Sequence, residues 1–159
     1  MGEAEMTQHA RKHIKFSEGY RDKVYLDSKK YPTFGWGHCL TTERPFGSLR
    51  EYAGWLFEKD FQNALTEYHT LIKKFRLEHL SCPRRMVLLD MCFNMGLAKV
   101  SKFANALTML QEERYEEAAN HFRDSLWYTQ VGERAKRLIG VIVSNKYPNV
   151  PALGEGVNF

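Results

Sequence analysis

Two carboxylates and a hydroxyl lie close together near the start of the chain, at Glu18, Asp27 and Thr33. Glu18 precedes Gly19 at the predicted end of a helix, beside unpaired carbonyls and the negative end of the helix dipole. Both features disfavour an ionised carboxylate unless a cation intervenes, so Glu18 is a candidate proton donor. Taken singly, the three residues also fit a solvated helix end, a turn aspartate and a strand threonine.

The combination is more informative than its parts. Acid-catalysed cleavage of a glycosidic bond requires one proton donor and one carboxylate on the opposite side of the sugar. A carboxylate that closes a helix and another on the hairpin that follows can face each other across a cleft. The hydroxyl of Thr33, on the facing strand, would hold the attacking water. The three residues therefore favour glycosidic-bond chemistry.

The elements that would position these groups can be identified from hydrophobic periodicity. Residues 5–18 are predicted to be a helix with Ala10, Ile14 and either Met6 or His13 on its apolar face. Residues 24–26 and 33–36 are typical of short strands, joined by a polar turn over residues 27–30. The pattern then changes to a long helix over residues 51–75, which would span about 36 Å.

Four shorter helices and an irregular tail are predicted after the long helix. Pro83 suits the first turn of one of them, and Gly96 suits its end. Ser101 is the predicted N-cap of the next. The predicted helices cover residues 83–95, 101–112, 115–123 and 133–145, and the tail covers residues 147–159.

These elements predict an α+β fold in a single domain over residues 1–159. An N-terminal lobe (about 14–50) carries a short antiparallel sheet, a bridging helix (about 51–75) follows, and a mostly helical C-terminal lobe (about 81–147) completes the domain. Helix 5–18 is expected to pack on the helical lobe. A groove between two such lobes is a suitable place to bind a polymer.

Composition excludes few classes of function. The chain has 159 residues, 43% apolar and 26% charged, with a net charge of +4, as expected for a folded domain with a mild preference for polyanions. The longest apolar run near the C-terminus is too short to cross a bilayer. The first residues lack the apolar stretch of a signal peptide, so we expect synthesis in a cytoplasm. The spacing of the three cysteines favours free thiols over a disulfide framework or a zinc site.

Three segments carry a resemblance to a known family: residues 14–21 (IKFSEGYR), 25–27 (YLD) and 33–38 (TFGWGH). Together they contain Glu, eight residues, Asp, five residues and Thr, followed by T-x-G-x-G-H. This pattern resembles the phage-type lysozymes of glycoside hydrolase family 24. Weaker matches over residues 84–103 and 127–137 are similar to the family's helical lobe, so the resemblance covers about 14–147.

The resemblance implies a lysozyme-like fold and a role for each matching residue. Glu18 would be the general acid. Asp27 and Thr33 would position water or stabilise the developing cationic sugar in an inverting hydrolysis, with the carboxylates about 6.5–9.5 Å apart. Arg134 would pair with Glu18. The other implied residues are Phe93 and Asn94 in the substrate groove, and His38 with Asp60 as a structural pair.

The chain departs from the family pattern at two places. Lys30 lies in the hairpin turn where the family usually has glycine, which bears on where Asp27 points. The segment between His38 and Asp60 is also short, which would leave the cleft more open. Neither departure removes a catalytic residue.

The implied function is that of an endolysin, a muramidase that hydrolyses the β-1,4 bond between N-acetylmuramic acid and N-acetylglucosamine in peptidoglycan. It implies no cofactor, no metal, no nucleic-acid partner, no membrane insertion and a monomer. The protein would reach the wall through a holin-type pore or as a component of a virion. A lytic transglycosylase, a virion-associated wall-binding module and a chitinase-like activity remain as alternatives.

Overall fold

The computed structural model describes residues 2–26, 28, 32–39 and 49–151, which form a set of helices and one three-stranded sheet. This confirms the α+β fold, mostly helical with a small antiparallel sheet. The elements in chain order are α1 (Glu3–Glu18), β1 (Arg21–Leu26), β2 (Pro32–Gly35), β3 (His38–Cys39), α2 (Leu49–Phe75), α3 (Cys82–Met95), α4 (Leu97–Val100), α5 (Ala104–Gln111), α6 (Tyr115–Arg123), α7 (Leu126–Val131) and α8 (Glu133–Ser144).

Helix α1 ends at Glu18 because Gly19 leaves the helical conformation. Gly19 has a φ of +66°, and its N–H donates to the carbonyl of Lys15 at 3.0 Å. This positive φ is accessible to glycine at little cost. The buried face of the helix contains Met6, Ala10, His13 and Ile14, so both of the alternatives considered for that face are inside. Helix α1 packs against α3.

The sheet is antiparallel in the order β1-β2-β3, with Tyr25 opposite Thr33. Strand β2 ends at Gly35, one residue earlier than predicted, because Gly35 has a φ of +67°. A Cβ atom there would lie 2.9 Å from the Cβ of Ala53 in α2, so the sheet approaches the helix closely. The short strand β3 was not predicted. Lys30 lies outside the described residues.

Helix α2 has 27 residues and begins two residues before the predicted start. Phe57, which is 1% exposed, lies in the middle of its packed face. The ring centroid of Phe57 is 5.8 Å from that of Trp36, next to the sheet, and 5.6 Å from that of Phe93 in α3. Aromatic contacts at these distances join the sheet to the helices through a single side chain.

The helices after α2 agree with the prediction in three places and differ in three. Helices α3, α6 and α8 have nearly the predicted bounds. The predicted helix over 101–112 is wrong at its start, because Ser101 is the C-cap residue of α4, and α5 begins only at Ala104 without a side-chain cap. Helices α4 and α7 were missed, although Ser125 caps α7 by accepting a hydrogen bond from the N–H of Tyr128 at 3.2 Å.

Helix α3 is at the centre of the helical part of the molecule, where it packs against α1, α2 and α8. Its buried residues include one charged group, Asp90, among apolar neighbours. Helix α8 places Arg134 on its buried face. Among the described residues, none of the helices combines the length and apolarity of a bilayer-spanning segment.

We predict that Phe57→Ala destabilises the protein by about 3–5 kcal/mol, because it leaves a cavity where sheet and helices meet. Urea unfolding followed by circular dichroism measures this change. Trp55→Ala is the matched control, since Trp55 lies on the same helix and is 43% exposed. It should cost less than about 1 kcal/mol. Equal losses in the two variants would contradict the packing role of Phe57.

Candidate active site

A cleft of about 1290 Å³ lies between the sheet and the C-terminal helices. The end of α1 and the sheet form one wall, α2 contributes a second, and the segments around α3, α4, α7 and α8 form the rest. The predicted site residues that line this cleft are Glu18, Thr33, Phe93, Asn94 and Arg134. The structure therefore brings together side chains that are far apart in the sequence.

Glu18 is half-buried at the last position of α1, with its side chain 23% exposed. The backbone of Gly37 lies directly against its carboxyl group. A Cβ atom at Gly37 would be 2.5 Å from Oε2 of Glu18, and Gly37 also has a φ of +77°. Any side chain at residue 37 would therefore displace the carboxylate, which explains the second glycine of the T-x-G-x-G-H motif.

Arg134 supplies the cation beside Glu18. Its Nη1 donates to Oε1 of Glu18 at 2.7 Å, so the pair implied by the family resemblance is present. Arg134 is only 8% exposed, and its Nε donates to Oδ1 of Asp90 at 2.8 Å. Burial alone would lower the pKa of Arg134, but the two carboxylates outweigh burial and raise it. The guanidinium is therefore shared between two acids.

Asp90 is fully buried, and both of its oxygens accept hydrogen bonds. Oδ1 accepts from Arg134, and Oδ2 accepts from Nδ1 of His13, which is also fully buried. Burial alone would raise the pKa of Asp90, but the Arg134 guanidinium and the hydrogen bond from His13 outweigh it and hold this pKa below its ordinary value. Asp90 is therefore a buried anion.

His13 connects Asp90 to a second arginine. The Nε of Arg137 donates to Nε2 of His13 at 3.1 Å, so Nε2 accepts and the ring proton is on Nδ1, facing Asp90. Arg137 also donates from Nη2 to the hydroxyl of Ser17 at 3.0 Å. We call this connected set the polar network: Ser17, Glu18, His13, Asp90, Arg134 and Arg137.

Of the two predicted water-positioning residues, Thr33 is among the described residues and Asp27 is not. Thr33 lies in β2, is 2% exposed and lines the cleft. Asp27 lies outside the described residues, and its role stays a prediction.

The predicted substrate-groove residues lie on α3, opposite the sheet. Phe93 is half-buried against Phe57. Asn94 is exposed, and its Oδ1 accepts a hydrogen bond from Nε1 of Trp127 at 3.1 Å. Trp127 also lines the cleft and belongs to a segment that carries only a weak family match. Its side chain is mostly buried, and its ring packs against the rings of Phe103 and Phe122.

His38 lies at the rim of the sheet, where its Nδ1 and Oδ2 of Asp60 are 2.6 Å apart. This contact joins β3 to α2, and Asp60 also lines the cleft. No group of three or more metal-binding side chains occurs among the described residues.

Sequence reasoning assigned no role to four members of the polar network: His13, Ser17, Asp90 and Arg137. Three of them carried a weak signal. His13 occupies a position on the apolar face of α1, and Asp90 interrupts the run MVLLDMCF. Arg137 follows Arg134 by three residues and so lies on the same side of a helix. No local pattern shows that these residues meet, because His13 and Arg137 are 124 positions apart.

The family model for phage lysozyme matches residues 15–142 of this chain. The probable T4-type lysozyme 2 of Dictyostelium discoideum is 30% identical over 155 residues, which cover 80% of this chain and 89% of that protein. The pre-baseplate central spike protein Gp5 of Enterobacteria phage T4 is 30% identical over 154 residues, which cover 82% of this chain.

The relatives differ greatly in length. The chain spans 27% of the spike protein, and 14% of the peptidoglycan hydrolase gp36 of Pseudomonas phage phiKMV, to which it is 28% identical over 137 residues. The match to the family model includes Glu18, Thr33, Asp90 and Arg134, which the fold brings to the cleft or behind it. The chain belongs to the phage lysozyme family, whose members are glycoside hydrolases that act on peptidoglycan.

Proposed function

We propose that the protein hydrolyses the β-1,4 bond between N-acetylmuramic acid and N-acetylglucosamine in bacterial peptidoglycan. The observation that carries this proposal is a half-buried glutamate in a large cleft, held by a buried arginine and by the backbone of a glycine. A polymer cleft with a fixed carboxyl group is what acid-catalysed glycoside cleavage requires.

Glu18 acts as the general acid in this proposal. Arg134 occupies Oε1, so the transferable proton resides on Oε2, the oxygen beside Gly37. Donation of this proton to the glycosidic oxygen releases the leaving sugar as an alcohol. After the transfer Glu18 is an anion, and the Arg134 guanidinium stabilises that anion. The same contact therefore assists the product state of the proton transfer.

Water attacks from the opposite face of the sugar. We assign Asp27 as the carboxylate that accepts a proton from this water and Thr33 as the group that orients it. Thr33 supports the assignment because it lies in the strand next to the cleft. Attack opposite the leaving group inverts the anomeric carbon. Phe93, Asn94 and Trp127 would contact the glycan on the other wall.

The substrate assignment and the site of action follow the relatives. Two probable T4-type lysozymes, which the chain covers to about nine tenths, and a phage peptidoglycan hydrolase are similar to the chain in sequence. The net charge of +4 suits an anionic wall polymer. We propose that the protein acts on the bacterial cell wall as a monomer, either free after host release or as part of a virion, as the spike-protein relative suggests.

We predict that Glu18→Gln lowers the rate of peptidoglycan clearing by at least about 100-fold, because general acid catalysis contributes about 10²–10⁴-fold. Turbidity of purified walls measures the rate, and unfolding by urea verifies that the variant is folded. Glu116→Gln, an exposed carboxylate on α6, is the matched control and should keep full activity. A Glu18→Gln variant that keeps more than about a tenth of the rate would exclude the acid role.

Substitution of the water-positioning residues should give intermediate losses. We predict that Asp27→Asn reduces clearing clearly but less than Glu18→Gln does, and that Thr33→Val reduces kcat more than it raises KM. Thr33→Val keeps the size of the side chain and removes only the hydroxyl. Thr33→Ser keeps the hydroxyl and removes only the methyl group, so it should retain more activity. Activity lost equally in Thr33→Val and Thr33→Ser would point to packing instead of water.

Product chemistry separates hydrolysis from transglycosylation. We predict reducing N-acetylmuramic acid ends, with the anomer inverted at the moment of release, measured by mass spectrometry and NMR of muropeptides. Walls treated with the Glu18→Gln variant serve as the blank. Anhydro-muramic acid ends would instead show internal attack by a sugar hydroxyl, and would overturn the roles assigned to Asp27 and Thr33.

A further inference from the structure

Arg134 is bound to two carboxylates, and only one of them faces the cleft. Nη1 contacts Glu18 at 2.7 Å, whereas Nε contacts Asp90 at 2.8 Å behind the cleft wall. Asp90 is 0% exposed and is absent from the residues that line the cleft. The mechanism derived above gives Asp90 no part in proton transfer or in substrate binding.

A general acid needs a proton at the pH where the enzyme works, and a nearby cation opposes this. In proteins generally, an arginine that binds a single carboxylate lowers the pKa of that carboxyl group by about 1–3 units. A second anion on the same guanidinium offsets part of that effect, because its charge acts on the acid with the opposite sign. The polar network contains this second anion at close range.

We propose that Asp90 is a positioning residue for the hydrolysis: by sharing the Arg134 cation, it offsets part of the preference for an ionised Glu18 that Arg134 alone would impose, while Arg134 holds Glu18 in place. The inference rests on the proposed role of Glu18 as the acid. It assigns a buried residue outside the cleft to the control of the reaction. The pKa of Asp90 lies below its ordinary value because of Arg134 and His13, so Asp90 carries its negative charge at neutral pH.

The charged groups around Glu18 and Asp90 come from several elements. Helix α8 contributes Arg134 and Arg137, and α1 contributes His13. Across the cleft, α2 presents Asp60 and Glu67, and Lys99 and Lys102 line the wall at and just after α4. Within the polar network the formal charges are two carboxylates and two guanidiniums. They balance when Glu18 is ionised and leave one net positive charge when it is protonated.

His13 donates the second of the two hydrogen bonds that Asp90 accepts. Its Nδ1–H points at Oδ2 of Asp90 because Arg137 occupies Nε2. Asp90 can therefore be an acceptor on both sides. This arrangement also holds Asp90 at a fixed distance from Arg134, so the sharing is a property of the folded core and independent of substrate.

The test is the pH dependence of kcat/KM, whose alkaline limb reports loss of the proton from the acid in the free enzyme. We expect Asp90→Asn to move this limb to lower pH by about one unit. Activity at pH 8 should fall by about tenfold, since one pH unit on this limb is a tenfold change in rate. On the acid side of the limb it should stay within about threefold of wild type. A purely structural defect would lower the rate by the same factor at every pH.

Two further variants keep the proposal testable if Asp90→Asn does not fold. Arg137→Gln removes a positive charge at a half-buried position, and we expect the limb to move to higher pH by about half a unit. His13→Gln can still donate to Asp90 and accept from Arg137, leaves the charge unchanged, and should leave the limb within about 0.2 units of wild type. Substitutions of opposite charge should thus shift the limb in opposite directions.

The outcomes separate this inference from the proposed function. An unmoved limb in both Asp90→Asn and Arg137→Gln, with Glu18→Gln still inactive, overturns the charge-sharing role alone. An active Glu18→Gln variant overturns the acid role and the inference with it. A limb that shifts in the expected directions while Glu18→Gln is inactive supports both.

Discussion

The structure depends on one buried cation, the guanidinium of Arg134. Removing such a group from water is expensive, and the cost is offset only when partner carboxylates lie within hydrogen-bond distance. Asp90 on α3 and Glu18 on α1 supply those carboxylates, and Arg134 itself belongs to α8. Three helices are therefore held at one point. Loss of one partner of a buried ion pair typically costs about 3–5 kcal/mol, so the site and the core of the fold are coupled.

The acid is fixed from a second direction by the sheet. Gly37 brings bare backbone against Glu18, and Gly35 brings the neighbouring strand against Ala53 of α2. Both glycines have positive φ values, which the chain needs at these turns. The carboxyl group thus lies between a cation on one side and a glycine on the other. Such a carboxyl group keeps its orientation without relying on the substrate.

Much of this arrangement could be predicted from the sequence because the relevant signals are local. The end of α1 at Gly19, the hairpin, the long helix and the bounds of α6 follow from periodicity and from glycine or proline positions. The predicted start of α5 was wrong because a serine at residue 101 is typical of an N-cap, whereas in the structure Ser101 is the C-cap residue of α4. The place of Asp90 and His13 could not be predicted, because their contact depends on how α1 packs on α3. The family resemblance implied Arg134 as the partner of Glu18, but it gave no indication that Asp90 lies behind Arg134.

The contact between Glu18 and Arg134 joins residues 116 positions apart. During synthesis, Glu18 leaves the ribosome long before α8 exists, and helix α1 has no complete surface on which to pack until α3 has also emerged. A nascent chain therefore holds the acid without its cation and without one wall of the cleft. Assembly of the site coincides with completion of the core, so partly synthesised chains lack the geometry that cleaves a wall polymer.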